Sequence, residues 1–66
     1  MKNSVRVERA KLNITQEDLA REIEVSRQTI NSIETEKYVP STVLALKIAR
    51  FFKTTVNEVF TLEKGD

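Results

Sequence analysis

The stretch from Ser26 to Glu36 carries the side chains of this chain best suited to hydrogen-bond chemistry. Ile30 and Ile33 are its only apolar residues, and a spacing of three places both on one side of a helix. The opposite side then carries polar side chains that donate or accept hydrogen bonds. These are Gln28, Asn31, Ser32 and Thr35, with Arg27 and Thr29 on the flanks.

These side-chain types match the hydrogen-bonding groups on the edges of base pairs. An arginine such as Arg27 can pair with O6 and N7 of guanine, and amides such as Gln28 and Asn31 can pair with N6 and N7 of adenine. No acidic residue lies between Arg27 and Ile33. The alternative is a polar face that simply contacts water, as the outer faces of most surface helices do.

Composition argues against other kinds of chemistry. The 66 residues include no cysteine and no histidine, so disulfides and the usual ligands of a transition metal are missing. There is no glycine-rich phosphate loop, and a small helical domain offers little room for a cleft with shifted pKa values. We therefore expect no enzyme activity, no metal, no cofactor and no small-molecule ligand.

Charge and hydropathy predict a soluble cytoplasmic protein. The N-terminal residues do not resemble a signal peptide, and no run approaches the ~20 apolar residues of a membrane span. Eleven basic and ten acidic residues give a net charge of +1, which by itself does not indicate a nucleic-acid partner. DNA binding would therefore require that basic and acidic side chains lie on different surfaces of the protein.

The apolar pattern predicts a single all-α domain over residues 1–66. One glycine and one proline leave little to separate strands. Thr15, Ser26, Ser41 and Thr55 are predicted to cap the helices that follow them. Residues 24–26 form a tight corner between the second and third helices, which predicts a helix-turn-helix unit at about 16–36. The five predicted helices lie at about 4–12, 16–23, 27–36, 42–53 and 56–60.

Three segments of the chain resemble the Cro/C1 repressor family. They are ITQEDLA (14–20), VSRQTINSIE (25–34) and KYVPS (37–41), and the similarity continues through LALKIA (44–49) and VNEVF (56–60). The resemblance implies a compact five-helix fold of the lambda-repressor type. It also implies a sequence-specific transcriptional regulator that binds double-stranded DNA as a homodimer, with the third helix in the major groove.

The resemblance assigns functional residues. The base-contacting residues would be Arg27, Gln28, Thr29, Asn31 and Ser32. Gln16, at the positive end of the second helix, would contact a DNA phosphate, although an ordinary first-turn residue is the alternative for this position. Lys37 and Thr35 would also contact phosphates.

Two glutamates stand where the family usually has glycine. Glu24 follows the second helix and Glu36 follows the third. The glycines often supply a positive φ angle, which a residue with a side chain adopts only at a cost. We therefore expect either strained backbone at Glu24 and Glu36 or turns rearranged by one residue. Glu36 also places a negative charge near the expected phosphate surface.

Arg9 and Glu34 interrupt apolar stripes, because Arg9 follows Val5 by four residues and Glu34 follows Ile30 by four. Both are expected to point inward. The family pairs these positions in a largely buried salt bridge, so the resemblance implies a bond between the first and third helices. Desolvation opposes the attraction, and orientation of the third helix is the expected benefit.

Unused apolar residues in the C-terminal part predict a two-fold dimer. Its interface would comprise the 37–40 loop, the fifth helix and the segment that follows, through Val39, Val56, Phe60 and Leu62. The alternative is that Val39 and Val56 pack within one protomer. The leading hypothesis is a repressor of a palindromic operator. Two others are an antitoxin or adaptor whose main partner is a protein, and a helix-turn-helix scaffold that does not bind DNA.

Overall fold

A computed structural model describes all 66 residues and confirms the all-α prediction. The chain forms five helices, which are α1 (Val5–Leu12), α2 (Gln16–Glu22), α3 (Arg27–Glu34), α4 (Thr42–Phe51) and α5 (Val56–Val59). Two short strands, β1 (Lys2–Asn3) and β2 (Phe60–Thr61), pair antiparallel and bring the two ends of the chain together. The sequence did not predict this sheet, because a two-residue strand carries no detectable alternation.

Three helices begin at a side chain that caps them. The hydroxyls of Thr15, Ser26 and Ser41 accept hydrogen bonds from the backbone N–H groups three residues later, at 3.0, 3.1 and 3.2 Å. These bonds satisfy amides that have no partner within the helix. Thr55 is the N-cap residue of α5, as predicted, but its side chain makes no capping hydrogen bond.

The ends of α1 to α4 share one kind of turn. A residue with positive φ follows each helix, at 56° for Asn13, 61° for Glu24, 63° for Glu36 and 57° for Lys53. The next N–H then bonds to the carbonyl five residues earlier, as from Lys37 to Ser32 at 2.9 Å. This Schellman turn closes the helix, which is why α3 and α4 end two residues before the predicted positions.

Glu24 and Glu36 therefore adopt the left-handed conformation that the family usually gives to glycine. The turns keep their length, so the first of the two expectations, strained backbone, is correct. A side chain in this conformation costs about 1–2 kcal/mol. Both carboxylates also lie at the negative end of a helix dipole, where a negative charge is unfavourable.

The core lies between the inner faces of the five helices. It contains twelve buried apolar residues, and Val5, Leu19, Ile30, Ile33 and Ile48 are wholly inaccessible to solvent. The remaining members are Ala20, Ile23, Leu44, Ala45, Ala49, Val59 and Phe60. Because Ile30 and Ile33 face this core, the outer face of α3 is held toward solvent.

Candidate nucleic-acid interface

Helix α3 presents a polar outer surface. Arg27, Gln28, Asn31 and Thr35 are exposed, whereas Thr29 and Ser32 are half-buried. The inward isoleucines and the short α2–α3 turn fix the rotation of this helix about its axis. The residues predicted to contact bases therefore lie on one continuous side of α3.

Gln16, at the start of α2, joins three residues of α3. Its side-chain Oε1 accepts a hydrogen bond from Arg27 Nη1 at 3.2 Å. Its Nε2 donates to Asn31 Oδ1 at 3.2 Å and to Glu34 Oε1 at 3.0 Å. The amide thus has an acceptor for each of its two N–H groups, and a phosphate contact by Gln16 is left to its backbone N–H.

Glu34 connects this polar network to Arg9 of α1. Arg9 Nε donates to Glu34 Oε2 at 2.7 Å and Nη2 donates to Oε1 at 3.1 Å. The third donor, Nη1, bonds to the Ile14 carbonyl at 2.9 Å. Only 3 % of the Glu34 side chain and 16 % of the Arg9 side chain are exposed. The two residues expected to point inward do so.

The electrostatic environment keeps Glu34 ionised. Burial raises the pKa of its carboxyl, but the hydrogen bonds from Arg9 and Gln16 and the charges of Arg9 and Arg6 outweigh burial and leave the pKa below its ordinary value. The same hydrogen bond from Arg9 to Glu34 raises the pKa of the guanidinium. The pair is therefore charged throughout the neutral range.

Two threonines of α3 already use their hydroxyl groups within the protein. Thr35 Oγ1 donates to the Asn31 carbonyl at 2.8 Å, and Thr29 Oγ1 lies 2.9 Å from Ser26 Oγ. Thr35 thus offers an acceptor more readily than a donor, whereas either hydroxyl of the Ser26–Thr29 pair can be the donor. Lys37 is exposed beyond the end of α3 and forms no ion pair, so its ammonium group is available to an anion.

Tyr38 is a surface residue that the sequence reasoning did not assign to this site. Its side chain lines a shallow cleft together with Gln28, Thr29 and Ser32 of α3. The Schellman turn at Glu36 brings it there, because the Tyr38 N–H bonds back to the Ser32 carbonyl at 3.2 Å. Glu36 stands where the family usually has glycine, and this position was the sequence signal for a turn that returns Tyr38 to α3.

A second polar cleft lies at the start of α2. It is lined by Arg9, Asn13, Gln16, Glu17 and Arg27, among others. Arg27 and the positive end of α2 make this cleft suitable for a phosphate, since Arg9 is paired with Glu34. Glu17 is the one acid on its rim. The cleft at the start of α2 includes Arg27 of α3, and the cleft beside Tyr38 is lined by Gln28, Thr29 and Ser32 of the same helix.

The four residues predicted to form a dimer interface differ in exposure. Val39 and Leu62 are exposed, at 58 % and 77 %, whereas Val56 is half-buried against the core. Phe60 is 6 % exposed and pairs with Asn3 in the sheet. Its assignment to the interface is therefore wrong, because the side chain completes the core of its own protomer.

Helix α4 exposes two apolar residues that the sequence reasoning did not assign to an interface. Val43 and Leu46 face solvent, and Leu46 lines a shallow cleft with Val56. Val43 and Leu46 border a neighbouring cleft with Lys47 and Arg50. Their spacing of three, out of phase with buried Leu44 and Ile48, was visible in the sequence.

Comparisons with known proteins agree with this geometry. The helix-turn-helix family HTH_3 matches residues 5–59. An HTH-type transcriptional regulator of Methanocaldococcus jannaschii is 52 % identical over 66 residues, which cover 100 % of both chains. The regulator YgzD of Bacillus subtilis is 45 % identical over 64 residues, or 97 % of each chain.

A third relative extends the similarity to another archaeon. An HTH-type transcriptional regulator of Archaeoglobus fulgidus is 42 % identical over 66 residues, which cover 100 % of this chain and 93 % of the relative. None of the helices in this chain has the length and apolar character needed to span a bilayer. The chain belongs to the Cro/C1-type helix-turn-helix family of DNA-binding transcriptional regulators.

Proposed function

We propose that this protein is a cytoplasmic repressor that binds a palindromic operator as a homodimer, with α3 in the major groove of each half-site. The observation that carries the proposal is the outer face of α3, where Arg27, Gln28 and Asn31 are exposed together. Donors and acceptors of this length reach base edges when the N-terminal part of a helix enters the major groove. No acidic side chain interrupts this part of the helix.

Contacts to DNA fall into two groups in this proposal. Arg27, Gln28 and Asn31 contact bases, with Thr29 and Ser32 closer to the cleft that Tyr38 lines. Lys37 and the backbone N–H of Gln16 are directed to the DNA backbone. Thr35 can donate to a phosphate only when its hydroxyl turns away from the Asn31 carbonyl, to which it donates at 2.8 Å. Phosphate contacts position the helix, and base contacts select the site.

A dimer follows from the small size of one recognition surface. One α3 reads only a few base pairs, whereas a two-fold dimer places two such helices about 34 Å apart, one turn of B-DNA. Val39 and Leu62 supply exposed apolar surface, and Leu46 of α4 lines a cleft with Val56 of α5. Exposed apolar side chains of this kind support an interface.

The proposal is tested by titrating the protein against DNA from the region upstream of its own gene. We expect a shifted complex with two protomers per duplex and an affinity that falls steeply as salt rises, because bound phosphates release counterions. Random DNA of equal length is the control and should bind more weakly by about 10³-fold or more. Equal affinity for both duplexes would contradict sequence-specific binding.

The second candidate is an antitoxin or adaptor whose main partner is another protein. The apolar strip formed by Val43 and Leu46 on α4 favours it, because a protein partner could cover that strip in place of a second copy. Co-expression with the product of an adjacent gene separates the two functions. A stable heteromeric complex without operator binding would support the adaptor.

A further inference from the structure

The Gln16 amide lies between a group that can only donate and a group that can only accept. Arg27 is on one side, and a guanidinium has no acceptor. The ionised carboxylate of Glu34 is on the other and has no donor. The oxygen of Gln16 must therefore face Arg27, and its nitrogen must face Glu34. The chemistry of the two neighbours fixes this orientation.

We propose that Gln16 is a positioning residue that sets which base Asn31 reads, favouring guanine over adenine. The proposal rests on the DNA binding proposed above. Because the Gln16 nitrogen faces α3, the Asn31 atom 3.2 Å from it must be the oxygen, Oδ1. The Asn31 amide nitrogen is then left without a partner in the protein and is turned outward on an exposed side chain.

This orientation changes the expected base preference. An asparagine that pairs with adenine accepts from N6 and donates to N7, so it needs both amide groups at the base edge. In this protein Oδ1 is directed to Gln16, and two N–H donors face the groove. The major-groove edge of guanine, with O6 and N7, presents two acceptors and no donor. Guanine therefore satisfies Asn31 without breaking the bond to Gln16.

Glu34 holds the other end of this arrangement. Its carboxylate accepts hydrogen bonds from both Arg9 and Gln16 and is nearly inaccessible to solvent. A fully hydrogen-bonded buried group has little freedom to rotate. The bond to Glu34 therefore also limits rotation of the Gln16 amide. The Gln16 amide thereby links the Arg9–Glu34 ion pair to Asn31 on the proposed base-reading surface.

Selection of binding sites from a random duplex library tests the proposal, with the full chain as wild type and as variants. Asn31→Ala identifies the position that Asn31 reads, since preference there is lost. We expect the wild type to select guanine over adenine at this position by about tenfold. Gln16→Met removes the orienting bonds at similar volume, and the guanine preference should fall to about twofold or less. Positions read by residues that Gln16 does not contact, such as Gln28, should keep their preference.

Gln16→Ala provides an independent arm. It removes the whole amide and places no charge beside the Glu34 carboxylate, which lies 3.0 Å from the Gln16 nitrogen, so the guanine preference should fall as it does in Gln16→Met. Glu22→Gln, on the exposed side of the same helix, is the matched control and should select like the wild type. Thermal melts establish that each variant is folded.

The outcomes separate this proposal from the function on which it rests. A wild type that selects no sequence overturns sequence-specific binding, and with it this proposal. A wild type that selects a site but prefers adenine at the Asn31 position overturns the proposal alone. So does an unchanged guanine preference in both folded Gln16 variants, or an Asn31→Ala variant that loses preference nowhere.

Discussion

Arg9 and Glu34 form a two-pronged ion pair that joins α1 to α3, with Nε–Oε2 at 2.7 Å and Nη2–Oε1 at 3.1 Å. The paired geometry fixes the angle of the guanidinium plane as well as its distance, which a single contact would not. Since Glu34 belongs to α3 and Arg9 to α1, the pair ties the orientation of α3 to α1. We expect orientation rather than stability to be its main benefit, because desolvation offsets much of the attraction.

The first prediction compares the two glutamates near the end of α3. Glu34→Ala leaves the half-buried Arg9 charge without its ion-pair partner and should lower the free energy of unfolding by about 3 kcal/mol. Glu36→Ala changes an exposed side chain and should stay within about 0.5 kcal/mol. Urea melts of both variants give the comparison. Equal midpoints would show that Glu34 does not pair with Arg9 in solution.

The second prediction concerns pH. The pKa of Glu34 is lower in the folded protein than its ordinary value near 4.3, so the folded state binds fewer protons than the unfolded state in this range. The stabilisation is complete above about pH 4.3 and is lost as the pH falls through the folded pKa.

Asp18 and Asp66 are shifted in the same direction, so the wild type alone does not isolate Glu34. Urea melts of wild type and Glu34→Gln at pH 7, 5, 4 and 3 do so, because both aspartates are present in each. The difference in unfolding free energy between the two proteins should be constant above about pH 5 and shrink below about pH 4. A difference that stays constant to pH 3 would contradict the assigned shift.

A third prediction follows from the positive φ angles. Glu36→Gly removes a strained side chain at 63°, and we expect a gain of about 0.5–1 kcal/mol after the entropy of the unfolded glycine is counted. Lys53→Gly, at 57°, relieves the same strain but removes a favourable charge at a helix C-terminus, so its gain should be smaller. Thermal melts rank the two variants, and destabilisation by Glu36→Gly would refute the account of these turns.

The fourth prediction separates base contacts from phosphate contacts. Arg27→Ala should reduce discrimination between operator and mutated operator by about 1–3 kcal/mol at one position of each half-site. Gln28→Ala should act alike at a neighbouring position. Lys37→Ala should weaken binding to every sequence and flatten the dependence on salt. Mobility-shift titrations at several salt concentrations measure both effects. Unchanged discrimination in Arg27→Ala and Gln28→Ala would contradict the placement of α3 in the major groove.

The fifth prediction tests the dimer surface with exposed residues only. Leu62→Glu and Val39→Glu place charge on the proposed interface and should convert a micromolar dimer to monomer in sedimentation experiments. Val7→Glu makes the same change on an exposed position of α1 and should leave the dimer intact. Val56 is unsuitable for this test, because its contact with the core would confuse unfolding with dissociation. A monomeric wild type would exclude this interface.

Local interactions explain what could be predicted from the sequence. Helices α2, α3 and α4 begin where Thr15, Ser26 and Ser41 predict, because a cap acts over three residues and depends little on the fold. Spacing placed Ile30 and Ile33 in the core and so gave the rotation of α3. The inward direction of Glu34 followed from the same periodicity.

Only the tertiary structure decided the contacts between residues distant in the chain. Phe60 pairs with Asn3 in the β1–β2 sheet and is buried in the core. The sequence left Phe60 free for an interface, because β1 and β2 lie at opposite ends of the chain. Gln16 meets Asn31 and Glu34 across 15 and 18 residues, and no periodicity within one helix encodes a bond between two. The sequence by itself determined which side chains α3 turns outward, whereas packing of α2 against α3 determined which way their amides face.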